Sequence, residues 1–173
     1  MDIRLRPVAD GDIDALEKIG PDHDAYVAFG GAPDGQPKGG RDWAAGIIGR
    51  VQAAYFGRII DVGGALAGEI KLQFENLTDR NARLAIWVYR PDQRGQGIAQ
   101  RAIALTLDEA FGPLVLHRVD LRVLAKNTRA IRAYETAGFR HEGRLRGAAK
   151  IGKNYEDELI MAVLASDDRP ACS

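Results

Sequence analysis

The stretch RPDQRGQGIAQRAI, residues 90–103, places Gly95 and Gly97 one residue apart, directly after an arginine and directly before an apolar run at helical spacing. A β-rich run at 82–89 precedes the turn, and the spacing of apolar residues predicts a helix over 98–111. The unpaired N–H groups of a helix N-terminus and the helix dipole together favour anions. The stretch therefore predicts a phosphate-binding turn between a strand and a helix.

Three interpretations of this turn compete. A P-loop requires Lys followed by Ser or Thr, whereas Gly97 is followed by Ile98 and Ala99. A dinucleotide-binding fingerprint requires a third glycine where the chain has Gln100, and it follows the first strand of a parallel unit rather than an antiparallel meander. The turn taken alone leaves open a third interpretation, in which the glycines only start a helix.

The composition indicates one soluble globular domain. The 173 residues are 46% hydrophobic and 28% charged, and Lys+Arg and Asp+Glu each number 24, with no long block of one sign. This balance argues against nucleic acid or an anionic membrane as a partner, and no run approaches the ~20 apolar residues of a membrane span. Because the N-terminus lacks the apolar core of a signal peptide, we expect a cytoplasmic protein.

The cysteine and histidine residues do not suggest a metal site. Cys172 is the single cysteine, which excludes an intrachain disulfide and a site built from several thiolates. His23, His117 and His141 lie far apart in the sequence and lack the spacing of zinc ligands. We expect no bound metal.

Strand and helix patterns alternate along the whole chain. A strand at 2–8 leads into a helix that Asp10 or Asp12 would cap, and a loop rich in glycine and proline at 30–41 precedes a helix at 42–54. The remaining predicted elements are three meander strands within 55–89, the helix at 98–111, a strand at 117–125, a helix at 127–137 and a hairpin of 139–150 with 154–165. The order β-α-α-β-β-β-α-β-α-β-β predicts an α+β domain with one mixed sheet over residues 1–165, followed by a polar tail at 166–173.

Two spaced motifs carry a family resemblance. The first is R-x-x-G-x-A, formed by Arg94, Gly97 and Ala99 after WVYRP at 87–91. The second is N-x6-Y-x3-G-F, formed by Asn127, Tyr134, Gly138 and Phe139. In this order the motifs resemble the GNAT superfamily of acyl-CoA-dependent N-acetyltransferases, over most of residues 2–165. The run HRVDLRVLAKNTRAIRAYETAGFRHEGRLR is most similar to the RimJ/RimL-like branch, which acetylates the N-terminal alanine or serine of ribosomal proteins and also contains small-amine acetyltransferases.

The resemblance implies a mostly antiparallel mixed sheet of about seven strands, with helices on both faces and a cleft where strands 4 and 5 splay apart. In the family, the pantetheine arm of acetyl-CoA enters this cleft. Carried over to this chain, the backbone of Trp87, Val88 and Tyr89 holds the pantetheine. The pyrophosphate is held by Arg94, Gly95, Gln96, Gly97, Ile98 and Ala99. Glycine suits this turn because a Cβ would keep phosphate oxygens away from the amides.

The resemblance also assigns roles in acyl transfer. Tyr134 matches the family's tyrosine that faces the thioester sulfur, so it is the expected general acid, with a plain core aromatic as the alternative. Asn127 matches an asparagine that contacts the coenzyme arm, and a simple helix cap is compatible with that role. The backbone N–H of Val88 is the expected donor to the oxyanion.

The general base is the part of the family pattern that this sequence lacks. Many relatives carry Glu in strand four, in a stretch like A-E-I-G-Y, whereas Arg83 stands in the acid's place here. Glu69 is the expected base, acting through water if needed, and Glu75 is a second candidate. His117 is expected to be structural, and the acidic run at 154–158 is expected to be either a solvated strand start or a rim that attracts a cationic amine.

Together these features predict an acetyl-CoA-dependent N-acetyltransferase whose favoured acceptor is the N-terminal amine of a protein or peptide. The alternative acceptor is a polyamine, amino acid or aminoglycoside, since residues 20–54 and the last hairpin would select it. A non-catalytic acyl-CoA sensor is the rival that the missing strand-four carboxylate suggests. Dimers are frequent in the family, and the apolar segment LIMAVLA at 159–165 offers an edge compatible with a homodimer.

Overall fold

The computed structural model describes residues 1–28, 35, 37–76 and 78–169 of the chain. In chain order its elements are β1 (Ile3–Arg6), α1 (Asp12–Ile19), α2 (His23–Ala28), α3 (Arg41–Ala53), β2 (Phe56–Val62), β3 (Ala65–Asn76), β4 (Asn81–Val88), a short 3-10 turn (Pro91–Gln93), α4 (Ile98–Phe111), β5 (Arg118–Leu124), α5 (Thr128–Thr136), β6 (Arg140–Ile151) and β7 (Asn154–Leu164). The predicted order of elements is confirmed, with α2 and the 3-10 turn as additions. Much of the predicted loop at 30–41 lies outside the described residues, as does Cys172.

Seven strands form one sheet in the order β1-β2-β3-β4-β5-β7-β6. All neighbours are antiparallel except β4 and β5, which run parallel. The expected mixed, mostly antiparallel α+β sheet is therefore confirmed. The prediction that residues 159–165 form an exposed edge is wrong, because β7 pairs with β5 on one side and with β6 on the other. Which strands flank β7 depends on pairing between distant segments, which its own apolar pattern does not specify.

The parallel pairing of β4 with β5 is short. It joins only residues 81–83 to residues 118–120, although both strands continue for several residues beyond that point. Past Arg83 and Asp120 the two strands diverge and leave an opening in the middle of the sheet. This opening is the splayed cleft that the family resemblance implies.

Two hydrophobic clusters lie on opposite faces of the sheet. The first includes Ile98, Ile103 and Leu107 of α4, packed against the strands, so we name that side the α4 face. The second includes Leu16 of α1 and Ile48 of α3, and its side is named the α1 face. The helices α1, α3, α4 and α5 each bury apolar side chains against the sheet, at roughly 25 cal/mol per Å² of apolar surface removed from water.

Part of the α1 face is open. The helices α1 and α3 pack against β2 and β3, whereas Ala85 of β4 and Arg122 of β5 are exposed. Side chains alternate along a strand, and the alternating partners of these residues belong to the α4-face cluster. We therefore define the open face by the α1-face side chains of β4, β5 and β7, which are Arg83, Ala85, Trp87, Asp120, Arg122, Leu124, Glu158, Ile160 and Ala162.

The helix α1 starts without the predicted side-chain cap. Its N-cap is Gly11, and neither Asp10 nor Asp12 makes a capping hydrogen bond to the helix. The carboxylate of Asp12 instead accepts from the N–H of Ala9 at 2.7 Å and from the Arg6 guanidinium at 2.8 and 2.6 Å. A tertiary ion pair to β1 thus takes the carboxylate that the local sequence pattern offers to the helix.

Candidate active site

A cavity of about 380 Å³ extends from the splayed end of β4 to the first turns of α4 and α5. Eight of the predicted site residues line it: Val88, Arg94, Gly95, Gly97, Ile98, Ala99, Asn127 and Tyr134. Four other predicted site residues, Glu69, Trp87, Tyr89 and Gln96, are not among the residues that line the cavity. The fold thus joins the two sequence motifs, which lie about 30 residues apart, at one cavity.

The glycine turn has the backbone conformation that its sequence suggests. Gly95 and Gly97 have φ angles of +81° and +79°, a region that residues with a Cβ rarely adopt. Gly97 is the N-cap of α4, and the first turn of this helix contains no acidic residue. The first N–H groups of α4 therefore point towards the cavity without a competing carboxylate from their own turn, which favours an anion there.

The side chain of Arg94 is held by the protein itself. Its guanidinium pairs with Asp22 and donates to the carbonyls of Val88 and Tyr89 at 3.2 and 3.4 Å. Both partners of the ion pair are mostly buried, with side chains 12% and 13% exposed. The pair ties the glycine turn to the segment between α1 and α2, and nothing in the sequence pattern singled out Asp22 as a partner.

The backbone of Val88 faces the opening. The N–H of Tyr89 donates to the carbonyl of Ala67 at 2.9 Å, and Trp87 pairs with Glu69 in the same ladder. Backbone groups alternate in direction along an antiparallel ladder, so the N–H and C=O of Val88 point away from β3. Its carbonyl accepts from Arg94, and its N–H is directed into the cleft.

The helix α5 supplies the other wall of the cavity. Asn127 caps this helix by accepting from the N–H of Ala130 at 3.2 Å, and it also lines the cavity. Tyr134 is 6% exposed, and its ring packs edge-on against Phe139 at 5.8 Å. Burial raises the pKa of Tyr134 to about 12, and within the described residues its hydroxyl makes no hydrogen bond. The hydroxyl is thus protonated at neutral pH and available to a ligand.

The cavity fits coenzyme A in its chemistry. Gln93 lines it, and within the described part of the chain its buried side-chain oxygen has no hydrogen-bond partner. Arg129 and Arg132 of α5 line the same cavity and are exposed to solvent. An extended ligand with amides in its arm and phosphates at its end would satisfy the orphaned amide oxygen, the free N–H groups and the arginines.

Glu69 lies on the α1 face of β3, opposite Trp87, and is 7% exposed. Its two oxygens accept from the Lys71 ammonium and from the Tyr89 hydroxyl, each at 2.7 Å. Burial and the negative charge of Glu69 raise the pKa of Tyr89, which keeps that hydroxyl a donor. For the second candidate base, Glu75, the side chain lies outside the described structure.

Arg83, which stands where many relatives have Glu, closes the base of the cleft. Its Nε donates to Asp120 at 2.9 Å, and this pair is also the last one that joins β4 to β5.

The contacts of His117 are made by its backbone, whose N–H donates to the carbonyl of Arg80 and whose carbonyl accepts from the N–H of Ala165. Within the described ranges, no three His, Cys, Asp or Glu side chains gather as metal ligands, and no helix is long and apolar enough to cross a membrane.

Residues 2–140 match the family model of the acetyltransferase (GNAT) domain. The chain is 40% identical over 74 residues to a probable N-acetyltransferase of Bacillus subtilis, covering 43% of this chain and 41% of that protein. It is 35% identical over 101 residues to spermidine N(1)-acetyltransferase of Vibrio cholerae, covering 58% of each chain. The matched segments thus span less than two thirds of either relative.

Solved structures match over nearly the full chain. RimJ of Mycobacterium smegmatis, in complex with CoA-disulfide, has a TM-score of 0.84 at 23% identity, covering 98% of this chain and 85% of that one; at this identity the likeness shows the fold alone. Spermidine N-acetyltransferase of Vibrio cholerae, in complex with CoA and spermine, has a TM-score of 0.78 at 25% identity, covering 95% and 96%. With the splayed β4–β5 cleft, the glycine turn and the family match over most of its length, this chain belongs to the GNAT acetyltransferase family.

Proposed function

We propose that this protein transfers an acetyl group from acetyl-CoA to a primary amine, and that its favoured acceptor is the N-terminal amine of a protein or peptide. The observation that carries the proposal is the continuous cavity that runs from the unpaired end of β4 to the glycine turn before α4. Such a cavity offers backbone groups to the arm of acetyl-CoA at one end and an anion site to its phosphates at the other.

Two residues of the cavity, Val88 and Tyr134, have different roles in the proposed acyl transfer. In this proposal the N–H of Val88 donates to the carbonyl oxygen of the thioester, where negative charge develops during attack. Tyr134 donates its proton towards the sulfur. A thiol has a pKa of ~8.5, which is below that of Tyr134, so the tyrosine first stabilises the departing sulfur by hydrogen bonding. It gives its proton to the sulfur only as it receives another proton from the acceptor nitrogen.

The predicted role of Glu69 as general base stays a prediction. Because both of its oxygens already accept hydrogen bonds from Lys71 and Tyr89, it would receive a proton from the acceptor only through water or through Lys71. The same contacts fix the side chain of Tyr89 beneath α1 and α3, next to the open face. A positioning role for Glu69 is therefore compatible with its geometry as well.

The charges of the open face favour a peptide terminus over a polyamine. Of the two carboxylates on this face, Asp120 is neutralised by Arg83, and Glu158 has no cationic partner among the described residues. Arg122 adds an exposed cation, and Glu69 on the neighbouring strand is neutralised by Lys71. A molecule with several ammonium groups needs several unneutralised carboxylates, whereas a peptide presents one ammonium followed by a neutral backbone.

A small amine is the second candidate acceptor. It is favoured by the sequence likeness to spermidine N(1)-acetyltransferase of Vibrio cholerae, which is 35% identical over 101 residues. The same fold serves both kinds of acceptor, so the fold alone does not separate the two candidates.

The test is thiol release from acetyl-CoA with a panel of acceptors. We expect turnover with peptides that begin with Ser or Ala, and at least tenfold lower kcat/KM with spermidine, free amino acids and an aminoglycoside. Turnover confined to spermidine would reject the peptide acceptor and keep the acetyl transfer. Tight binding of acetyl-CoA without thiol release from any acceptor would reject catalysis and favour an acyl-CoA sensor.

A further inference from the structure

On the α1 face of the sheet, two carboxylates flank the β4–β5 opening at the same height along the strands. Glu69 of β3 pairs in register with Trp87 of β4, and Leu124 of β5 pairs with Glu158 of β7. The last β4–β5 pair joins Arg83 to Asp120, so four residues further on, Trp87 and Leu124 face each other across the opening. Glu69 and Glu158 therefore stand one strand behind each wall, about 5 Å from it.

The two carboxylates differ in what they bind. Both oxygens of Glu69 are occupied by Lys71 and Tyr89. Glu158 is half-buried as a residue, and among the described residues its carboxylate has neither a hydrogen bond nor an ion pair. A carboxylate that lies beside the cleft and has no cationic partner is available to a cationic ligand.

The other acidic residues at the start of β7 all have partners. Glu156 pairs with Lys126 at 2.8 Å. Asp157 accepts from Arg144 at 2.7 Å and from the N–H of Gly147 at 2.8 Å. Glu158 is thus the exception in the acidic run at 154–158, and it is the member whose strand partner, Leu124, forms a wall of the cleft.

We propose that Glu158 binds the ammonium group of the acceptor and takes its first proton. This inference rests on the proposed acetyl transfer and names the amine subsite of the same cleft. The acceptor reaches the thioester from the open face, where Glu158 is the described carboxylate that no cation neutralises. An ammonium held there sits between the carboxylate and the cleft, directly or through one water.

The proton balance of the step is complete. The acceptor ammonium gives one proton to Glu158, which later releases it to solvent. The neutral amine forms the C–N bond as the C–S bond breaks, and the second nitrogen proton passes through Tyr134 to the departing sulfur. The products are the amide, the free thiol of coenzyme A and one proton in solution.

The strands β5 and β6, which flank β7, place different side chains next to Glu158. From β5, Arg122 lies on the same face, and Lys126 follows that strand. From β6, Leu145 lies directly opposite in the ladder. The charged neighbours to consider in a pH series are Arg122, Lys126, Arg144, Arg146, Glu156 and Asp157.

The experiment compares Glu158→Gln with the wild-type protein on the best acceptor of the panel, between pH 6 and pH 9.5. We expect kcat/KM for the acceptor to fall ~10²- to 10⁴-fold at pH 7, with the affinity for coenzyme A unchanged. The deficit should shrink as the pH rises through the α-amine pKa of ~8, because neutral amine no longer needs a base. A merely structural defect would not follow the ionisation of the acceptor.

Glu156→Gln is the matched control, since it lies on the same strand and loses only an exposed ion pair; we expect its kcat/KM within about twofold of wild type. Glu69→Gln is measured beside it. If Glu158→Gln keeps the wild-type kcat/KM, the assignment is overturned while acetyl transfer stands. The same conclusion follows if the loss of kcat/KM shrinks at high pH in Glu69→Gln and not in Glu158→Gln. A wild-type protein that is silent with every amine would overturn both proposals.

Discussion

Tyr134 shows how burial shapes a single side chain for its proposed task. The ring is packed against Phe139, and the hydroxyl faces the cavity without a partner from the described residues. Burial raises its pKa to about 12, so the hydroxyl keeps its proton through the neutral and mildly alkaline range. Its availability as a donor should therefore not limit activity below about pH 10.

Removing that hydroxyl tests the acid role. Tyr134→Phe keeps the ring and its packing, and we expect kcat to fall by ~10²-fold, the lower end for general acid catalysis, because a thiolate leaves readily. Affinity for coenzyme A and melting temperature should stay near wild type. Tyr155→Phe, on the exposed hairpin, is the control and should be silent. Full turnover of Tyr134→Phe would remove the acid role and leave Tyr134 as a core aromatic.

Charged residues at the site are mostly committed to one another. Arg94 is held by Asp22 and two carbonyls, and Glu69 is held by Lys71 and Tyr89. Ion pairs of this kind hold backbone and side chains in place before a ligand binds. Glu158 differs from these residues, because its carboxylate has no such partner in the described structure and is available to an acceptor amine.

Among the elements, β3 and β4 approach closely at the level of the cleft. Gly68 pairs with Val88, and a Cβ at Gly68 would lie 2.2 Å from the carbonyl oxygen of Trp87. That oxygen belongs to the backbone and cannot move aside without displacing β4. The absence of a side chain at Gly68 thus sets the position of the strand that carries Val88.

Gly68→Ala should therefore damage both stability and cofactor binding. We expect the free energy of unfolding to fall by about 1–3 kcal/mol, as for other overpacked sites, and the affinity for coenzyme A to weaken severalfold. Thermal unfolding and a coenzyme A titration measure the two effects. Gly49→Ala, in α3 with no atom within 4 Å of the new Cβ, should instead raise stability by up to ~1 kcal/mol. Wild-type values for Gly68→Ala would refute the close-approach argument.

Across the whole molecule, a buried ion-pair network joins β1, the β2–β3 turn and the start of α1. Asp61 is 2% exposed and accepts from Arg4 at 3.2 Å, Arg6 at 3.0 Å and the N–H of Gly64 at 2.9 Å. Arg6 also binds Asp12. Burial acts to raise the pKa of Asp61, but the hydrogen bonds from Arg6, Gly64 and Arg4 outweigh it and lower the pKa.

This network should make stability sensitive to acid. Because the pKa of Asp61 is lower in the folded state, its contribution is complete above the unfolded value of ~3.9 and is lost as the pH falls through the folded value. Asp61→Asn should lower the free energy of unfolding by about 3 kcal/mol at pH 7 and flatten its dependence on pH below 4. Denaturant unfolding between pH 2.5 and 7 measures both, with the exposed Asp10→Asn as control. An unchanged acid slope would show that other carboxylates dominate.

The sequence by itself determined most of the elements and the conformation of the glycine turn. Helix α4 begins and ends at the predicted residues, Asn127 caps α5, and the glycine turn stands between strand and helix as expected. These features depend on apolar periodicity, on positive φ angles and on capping groups, which act within a few residues of the chain. The two motifs added the identity of the fold and the cleft between β4 and β5.

Only the tertiary structure decided which side chains meet on the α1 face of the sheet. The insertion of β7 between β5 and β6, the hydrogen bond from Tyr89 to Glu69 and the ion pair of Asp12 with Arg6 each join different elements of the fold. Such contacts depend on strand register and on which partner is closest after folding, and a local pattern carries neither. In the sequence, Glu158 is therefore not distinguished from its acidic neighbours, and only the pairing of β7 with β5 shows that it lies beside the opening.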